Sequence, residues 1–263
     1  GKPRKLARAE VTRAVSTFAL AADVAWKNGG DALVDLSAVK NGEGRTALVR
    51  QRPKGVVAGI TPFNFPLNLV AHKLAPAFAA GCPVVLKPAE QTPLTSLLLA
   101  QVCRAAGLPD GGLSVVPCDR SVAPKLVADD RPKVVSFTGS DVVGWSLRAQ
   151  AKKKDVLLEL GGNACVVVCK DVDGAALDAA VDRAVAGAYA YAGQVCISVQ
   201  RVLVHASHLG AFRTRLLQAV NDVVCGDPDR DDVDVGPVID DRALARIRAA
   251  VDDAVAAGGT QLC

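Results

Sequence analysis

The chain has 263 residues, 50% of them hydrophobic and 22% charged, with a formal net charge of +4. That length and apolar content can bury a real core, as one large domain or two modest ones. The charge is small and scattered and there are only two Trp and two Tyr, so no basic-aromatic stripe points to nucleic acid. The longest apolar stretch, 66–86, is broken by His72, Lys73, Pro76 and Pro83, and neither a membrane span nor a secretory signal is expected.

In chain order, residues 7–26 have apolar side chains at helical spacing, without a partner that the sequence names. From residue 55 short apolar runs alternate with helical patterns: strand "GVVAGITP", helix "PLNLVAHKLAPAFAA" stopped by Gly81, strand "PVVLKP", and helix "PLTSLLLAQVCRAAG" ending at Gly107. Strands "LSVVP" and "KVVSFTG", helix "SDVVGWSLRAQAKK" and strand "DVLLEL" follow. That order predicts an α/β fold, a doubly wound parallel sheet with helices on both faces. Beyond Gly162 come strand "ACVVV", a helix over 173–191, strand "RVLVHA", a helix over 209–223, the acidic loop "GDPDRDDVDVGP" and a helix near 240–256. The chain then runs into "GGTQLC" as though entering another strand.

Eight cysteines without regular spacing suggest reduced thiols in the cytoplasm rather than a disulfide framework. Cys165 and Cys169 flank "VVV" on one strand face; with no second ligand pair they read as packing, and no metal is expected. His205 and His208 are no better as ligands, and Lys152–Lys154 read as a solvated helix end. The chain contains no Met and begins "GKPRK", as a processed protein or an internal piece of a longer one would.

A doubly wound sheet binds ligands beyond the carboxyl ends of its strands, so the turns there carry the information. Neither GxGxxG nor GxxxxGK is present. "FTGSDVVG" sets Gly139 and Ser140 where a strand turns into a helix, whose free amides suit a pyrophosphate. "KPAE" reads either as an exposed ion pair worth little or as a ribose clamp through Glu90. In "LELGG", Glu159 ends an otherwise apolar strand; a carboxylate there must be protonated or open onto a cavity, and an upward-shifted one suits general-base work. In "YAGQVCISVQR", Cys196 reads as a packing residue or a nucleophile.

The set "TPFNFP", "KPAEQTP", "FTGS", "LELGG" and "GQVC", in that order and spacing, resembles the aldehyde dehydrogenase superfamily over nearly the whole chain. The resemblance implies a cysteine that attacks an aldehyde, hydride transfer to NAD(P), and hydrolysis of the resulting thioester. By motif, Cys196 matches the nucleophile, Glu159 the base for water, and Asn64 the oxyanion donor beside the Cys196 amide. Lys87 and Glu90 match adenine-ribose contacts, Gly139 and Ser140 the pyrophosphate turn, and Thr61, Pro62, Phe63, Val143, Gly144 and Leu160 the lining of the cofactor cleft. NAD is expected, with NADP possible.

Residues 1–160 then form an NAD(P)-binding domain and 161–263 the first part of a catalytic domain, truncated at both ends of the family pattern. The later Glu-x-Phe-Gly-Pro motif is absent, so the 263 residues alone are expected to be inactive. The full-length protein is expected to be a cytoplasmic homo-oligomer, dimer or tetramer. An unactivated thiol with a pKa of about 8.5 is only a few per cent thiolate at neutral pH, and the three histidines lie in no comparable turn. Val195, Leu69 and Val70 would face the aldehyde, favouring a small neutral or hydroxylated one, as in lactaldehyde-type members. Two alternatives stay open: a thioester hydrolase relative and a non-catalytic nucleotide-binding remnant.

Overall fold

The computed structural model describes residues 1–27 and 30–263, in two compact units: Glu10–Glu159, and Gly1–Ala9 with Leu160–Cys263. Helix α1 (Arg4–Lys27) gives its first residues to the second unit and the rest to the first. It is followed by β1 (Ala32–Asp35) and β2 (Thr46–Val49), an antiparallel pair with the two runs "ALVD" and "TALV" in register. The sequence reading has no element here, because two exposed four-residue strands bury too little to show an alternating pattern.

The first unit is built on β3 (Val57–Ile60), α2 (Asn68–Ala79), β4 (Val84–Lys87), α3 (Pro93–Ala105), β5 (Leu113–Val115), α4 (Ala123–Ala128), β6 (Val134–Thr138), α5 (Asp141–Gln150) and β7 (Asp155–Glu159). The strands pair in parallel in the order β5-β4-β3-β6-β7. Right-handed crossovers in that order put α2 and α3 on one face and α4 and α5 on the other, so the predicted α/β doubly wound sheet is the one observed. Central β3 is buried at all four residues, "VAGI", as a strand covered on both faces must be. Val57, Val70, Leu74, Val84 and Leu86 join α2 to the sheet, and Phe18 of α1 packs against them. The six-residue α4 was not predicted; it is shorter than two helical turns and has no periodicity to read.

In the second unit β8 (Ala164–Val168) pairs in parallel with β9 (Val199–Val204) across α6 (Gly174–Tyr189), and α7 (Leu209–Asn221) and α8 (Asp241–Ala256) follow. Val168, Leu177, Val181, Ala184 and Phe212 form its core. Cys165 and Cys169 are exposed, so the packing expectation for them is corrected: a two-stranded sheet leaves one face uncovered, and Val167 and Leu203 are exposed there too. The predicted terminal strand is also absent. Residues 259–263 pair with no strand among the described residues, and an extended run without a ladder does not count as one. No helix among the described residues is long and apolar enough to cross a membrane.

Candidate active site

The strand order reverses direction between β3 and β6, and a reversal of that kind leaves a crevice at the carboxyl ends. The turns singled out from the sequence leave that edge: Thr61 follows β3, Lys87 ends β4, Gly139 follows β6 and Glu159 ends β7. The Thr61 amide donates to the Lys87 carbonyl at 3.2 Å and the Gly139 amide to the Glu159 carbonyl at 3.0 Å, so adjacent turns are tied in pairs.

Asn64 lies in the half-buried turn between β3 and α2, and its Oδ1 accepts from the Phe65 amide at 3.0 Å. An amide held by its oxygen is oriented with its NH2 as the donor end. Helix α2 has no capping side chain of its own at Leu67. The cap comes from Glu10 of α1, a buried carboxylate whose Oε1 accepts from the Leu67 amide at 2.8 Å and the Asn68 amide at 2.9 Å. A negative charge at a helix start is favoured by the dipole and satisfies amides the helix cannot. No signal in the sequence could have found Glu10, because its partners lie 57 and 58 residues away.

Glu159 is exposed at the end of an edge strand. Its carboxylate is not buried, because among the described residues β7 has a neighbour on one side only. On α2 a buried charge is Lys73. Its Nζ donates to Thr138 Oγ1 at 2.7 Å and Ser136 Oγ at 3.1 Å. Burial lowers the Lys73 pKa to about 8, against the opposing pull of the Glu159 carboxylate. Sequence reasoning missed Lys73 as a functional group, although a charge inside the apolar face "NLVAHKLAPA" was a usable signal.

Lys87 is buried, with 6% of its side chain exposed against 40% for Glu90, and their charged atoms are 3.9 Å apart. The pair is thus not wholly exposed, as one of the two sequence readings had it. Lys87 Nζ donates to the Pro88 carbonyl at 3.3 Å, which leaves donor capacity for a ligand oxygen. Thr61 Oγ1 is buried without a hydrogen-bond partner. At Gly139 an added Cβ would lie 2.6 Å from the Phe137 ring, so only glycine lets the turn close over it. Ser140 is the N-cap of α5 and its hydroxyl makes no capping bond. An orphaned hydroxyl, a buried ammonium beside a carboxylate and an open helix start suit a dinucleotide's hydroxyls and phosphates. Pro62 and Phe63 are half-buried, Val143 is exposed on the first turns of α5, Gly144 is buried, and Leu160 belongs to the other unit.

Cys196 is exposed in the connection from α6 to β9, as expected. The helix predicted to reach Tyr191 ends at Tyr189, because Tyr191 (φ 53°), Ala192 (φ 55°) and Gly193 (φ 72°) are left-handed and cannot extend a right-handed helix. Both histidines of this unit are engaged: His205 Nδ1 with Ser207 Oγ at 2.8 Å, and His208 Nε2 with the Lys170 carbonyl at 2.7 Å. Exposure does not single Cys196 out, since Cys165, Cys169 and Cys225 are exposed as well; its turn does. Val195 and Leu69 are half-buried, whereas Val70 lies in the core and is not available to a substrate, a correction that follows from its facing the sheet. No metal-holding group of His, Cys, Asp or Glu occurs among the described residues.

A model of the aldehyde dehydrogenase family matches residues 1–263. The chain belongs to the aldehyde dehydrogenase family. This aldehyde dehydrogenase chain is 41% identical over 263 residues to aspartate-semialdehyde dehydrogenase 1 of Pseudomonas canavaninivorans, covering 100% of the chain and 55% of that protein. It is 38% identical over 266 residues to the NADP(+) succinate-semialdehyde dehydrogenase of Escherichia coli, covering 100% and 54%. The crystal structure of aldehyde dehydrogenase 21 from Physcomitrella patens, in complex with the reaction product succinate, matches with a TM-score of 0.93 at 39% identity, over 100% of this chain and 54% of that one. The chain spans about half the length of the curated relatives it matches.

Proposed function

We propose that the full-length protein oxidises an aldehyde to a carboxylic acid with NAD(P), and that Cys196, Glu159 and Asn64 do the chemistry. The observation that carries this is an exposed cysteine in the turn that follows a left-handed run at Tyr191, Ala192 and Gly193, in a chain matched by the aldehyde dehydrogenase family over residues 1–263. The Cys196 thiolate adds to the aldehyde carbon, and the carbonyl oxygen takes the charge. In this reading Asn64 and the Cys196 amide would serve as the donors to that oxygen. NAD(P), held by Lys87, Glu90, Thr61, Gly139 and Ser140, would supply the hydride acceptor needed to oxidise that adduct to a thioester. Glu159 takes a proton from the water that attacks the thioester carbon; the C–S bond breaks, the thiolate returns and the acid leaves.

Residues 1–160 hold the cofactor in this reading and 161–263 supply the nucleophile. Lys87, Glu90, Gly139, Ser140 and Thr61 would hold the cofactor's ribose and phosphates, with Pro62, Phe63, Val143, Gly144 and Leu160 along it. All eight cysteines are unpaired thiols, which suits the cytoplasm, and a homo-oligomer is part of the same proposal. The test of the mechanism is Glu159→Gln in the full-length protein. A first-turnover burst of NADH persists while the steady-state rate falls, because the base acts after hydride transfer. Equal loss in both phases would make Glu159 a positioning group, and thioester hydrolysis with no NADH at all would restore the hydrolase alternative.

The aldehyde itself has two readings. The neutral residue Val195 before the nucleophile favours a small neutral or hydroxylated aldehyde. An acid-bearing aldehyde is favoured by the relatives named for aspartate and succinate semialdehydes. For the cofactor, Glu90 beside Lys87 favours NAD, since a 2′-phosphate would meet a like charge. One kinetic survey decides both: kcat/KM for lactaldehyde, glycolaldehyde and succinate semialdehyde, each with NAD and NADP. A preference for succinate semialdehyde selects the acid reading, and a preference for NADP overturns the role given to Glu90.

A further inference from the structure

We infer that Gln194 is a positioning residue that sets the nucleophile turn, an inference that rests on reading Cys196 as the nucleophile. Three to five residues before Cys196 the backbone runs left-handed through Tyr191 (φ 53°, ψ 43°), Ala192 (φ 55°, ψ 34°) and Gly193 (φ 72°). Only the glycine tolerates that region without strain; the other two persist there because the surroundings hold them. Tyr191 is held by burial of its ring, with Lys2 Nζ 4.9 Å from the ring centroid.

Gln194 supplies the remaining hold with both ends of one amide. Its Nε2 donates to the Tyr191 carbonyl at 3.1 Å, and its own backbone amide donates to the same carbonyl at 3.1 Å. Its Oε1 accepts from the Ile239 amide at 2.9 Å. The turn is thereby closed on itself and pinned to the loop that precedes α8. On the far side of the cysteine, the Ser198 amide donates to the Val195 carbonyl at 3.1 Å and buried Ser198 Oγ to the Ala188 carbonyl at 3.4 Å, so the turn is fixed on both flanks. Glycine at 162 lies against the Cys196 carbonyl, where an added Cβ would sit 3.4 Å away.

The Cys196 peptide is therefore held at Gln194 on one side and Ser198 on the other. Both groups that the chemistry takes from Cys196, its Sγ and its backbone N–H, depend on that placement. A glutamine is required because the two partners are opposite in kind, a carbonyl and an amide N–H, and a side-chain amide is the one group of that length that donates at one end and accepts at the other. Gln194 touches no reacting atom in this scheme.

The experiment uses the full-length protein and the variants Gln194→Met, which keeps the length and loses the amide, and Gln194→Glu, which keeps the acceptor for Ile239 and turns a carboxylate oxygen on the Tyr191 carbonyl. For each, kcat, the KM for NAD, the melting temperature and the rate of Cys196 alkylation by iodoacetamide are measured, with Cys165 and Cys225 as references. In both variants kcat falls about 10- to 100-fold, the loss that misplacing a reacting group produces. The KM for NAD stays within about twofold, and alkylation of Cys196 within about threefold, since a small unbound electrophile does not need the thiol in one place. Wild-type kcat in Gln194→Met overturns the inference, as does an alkylation rate that falls in step with kcat. A drop of about 10 °C in melting temperature in both variants makes Gln194 a residue of the fold and also overturns it. Cys196→Ser run alongside separates the two levels: if it is inactive while Gln194→Met is normal, only the inference fails, and if it turns over, the nucleophile reading falls as well.

Discussion

Cys196→Ser in the full-length protein loses aldehyde oxidation by on the order of 10⁴-fold or more, while cofactor binding is unchanged. A thiol is partly ionised near neutral pH and intrinsically nucleophilic, whereas a hydroxyl in the same place needs an adjacent base to act at all. In this unit the candidates for that base are already engaged, His205 with Ser207 and His208 with the Lys170 carbonyl. Loss of the sulfur therefore removes the nucleophile without a substitute, and it leaves the Lys87, Glu90 and Gly139 turns, which belong to the other unit, as they were. NADH absorbance reads the first effect and a titration with NAD followed by protein fluorescence reads the second. Substantial turnover by the serine variant would end the assignment.

Asn64→Ala costs about 10²- to 10³-fold in kcat with the fold intact, the typical effect of removing one preorganised oxyanion donor. The fold is spared because the turn's main restraints do not come from the Asn64 side chain. Glu10 holds the Leu67 and Asn68 amides, and α2 is packed on the sheet through Val70 and Leu74. The bond from the Phe65 amide to Asn64 Oδ1 is lost, worth about 1 kcal/mol in a partly exposed turn. Circular dichroism and the melting temperature check the fold, and steady-state kinetics at saturating aldehyde check kcat. A loss below tenfold would show that the Cys196 amide suffices, and loss of folding would show that Asn64 belongs to the architecture of the turn.

The elements of the parallel sheet were legible because their signals are local: β3 is four buried apolar residues, α2 has apolar positions at helical spacing, and Gly81 and Gly107 end helices by adopting positive φ. The candidate residues were legible for a related reason. Each sits at or just past the carboxyl end of a strand, and strands can be found from their own residues, so the sequence determined that Asn64, Lys87, Gly139 and Glu159 lie at one edge of one sheet. What it could not determine is which polar groups meet across the chain. Glu10 caps α2 from 57 residues away, Lys73 finds its hydroxyls on β6 63 and 65 residues on, and Gln194 reaches Ile239 45 residues later. Burial is decided in the same way: Glu159 is open because β7 is an edge strand, and Lys87 is covered because β4 is not. The left-handed run at Tyr191 and Ala192 was equally hidden, since nothing local asks a tyrosine or an alanine to adopt it. Hydrophobic periodicity is written residue by residue along the chain, whereas a hydrogen-bond partner, a desolvated charge or a strained turn exists only once distant segments have packed, and that is where the tertiary structure alone decided.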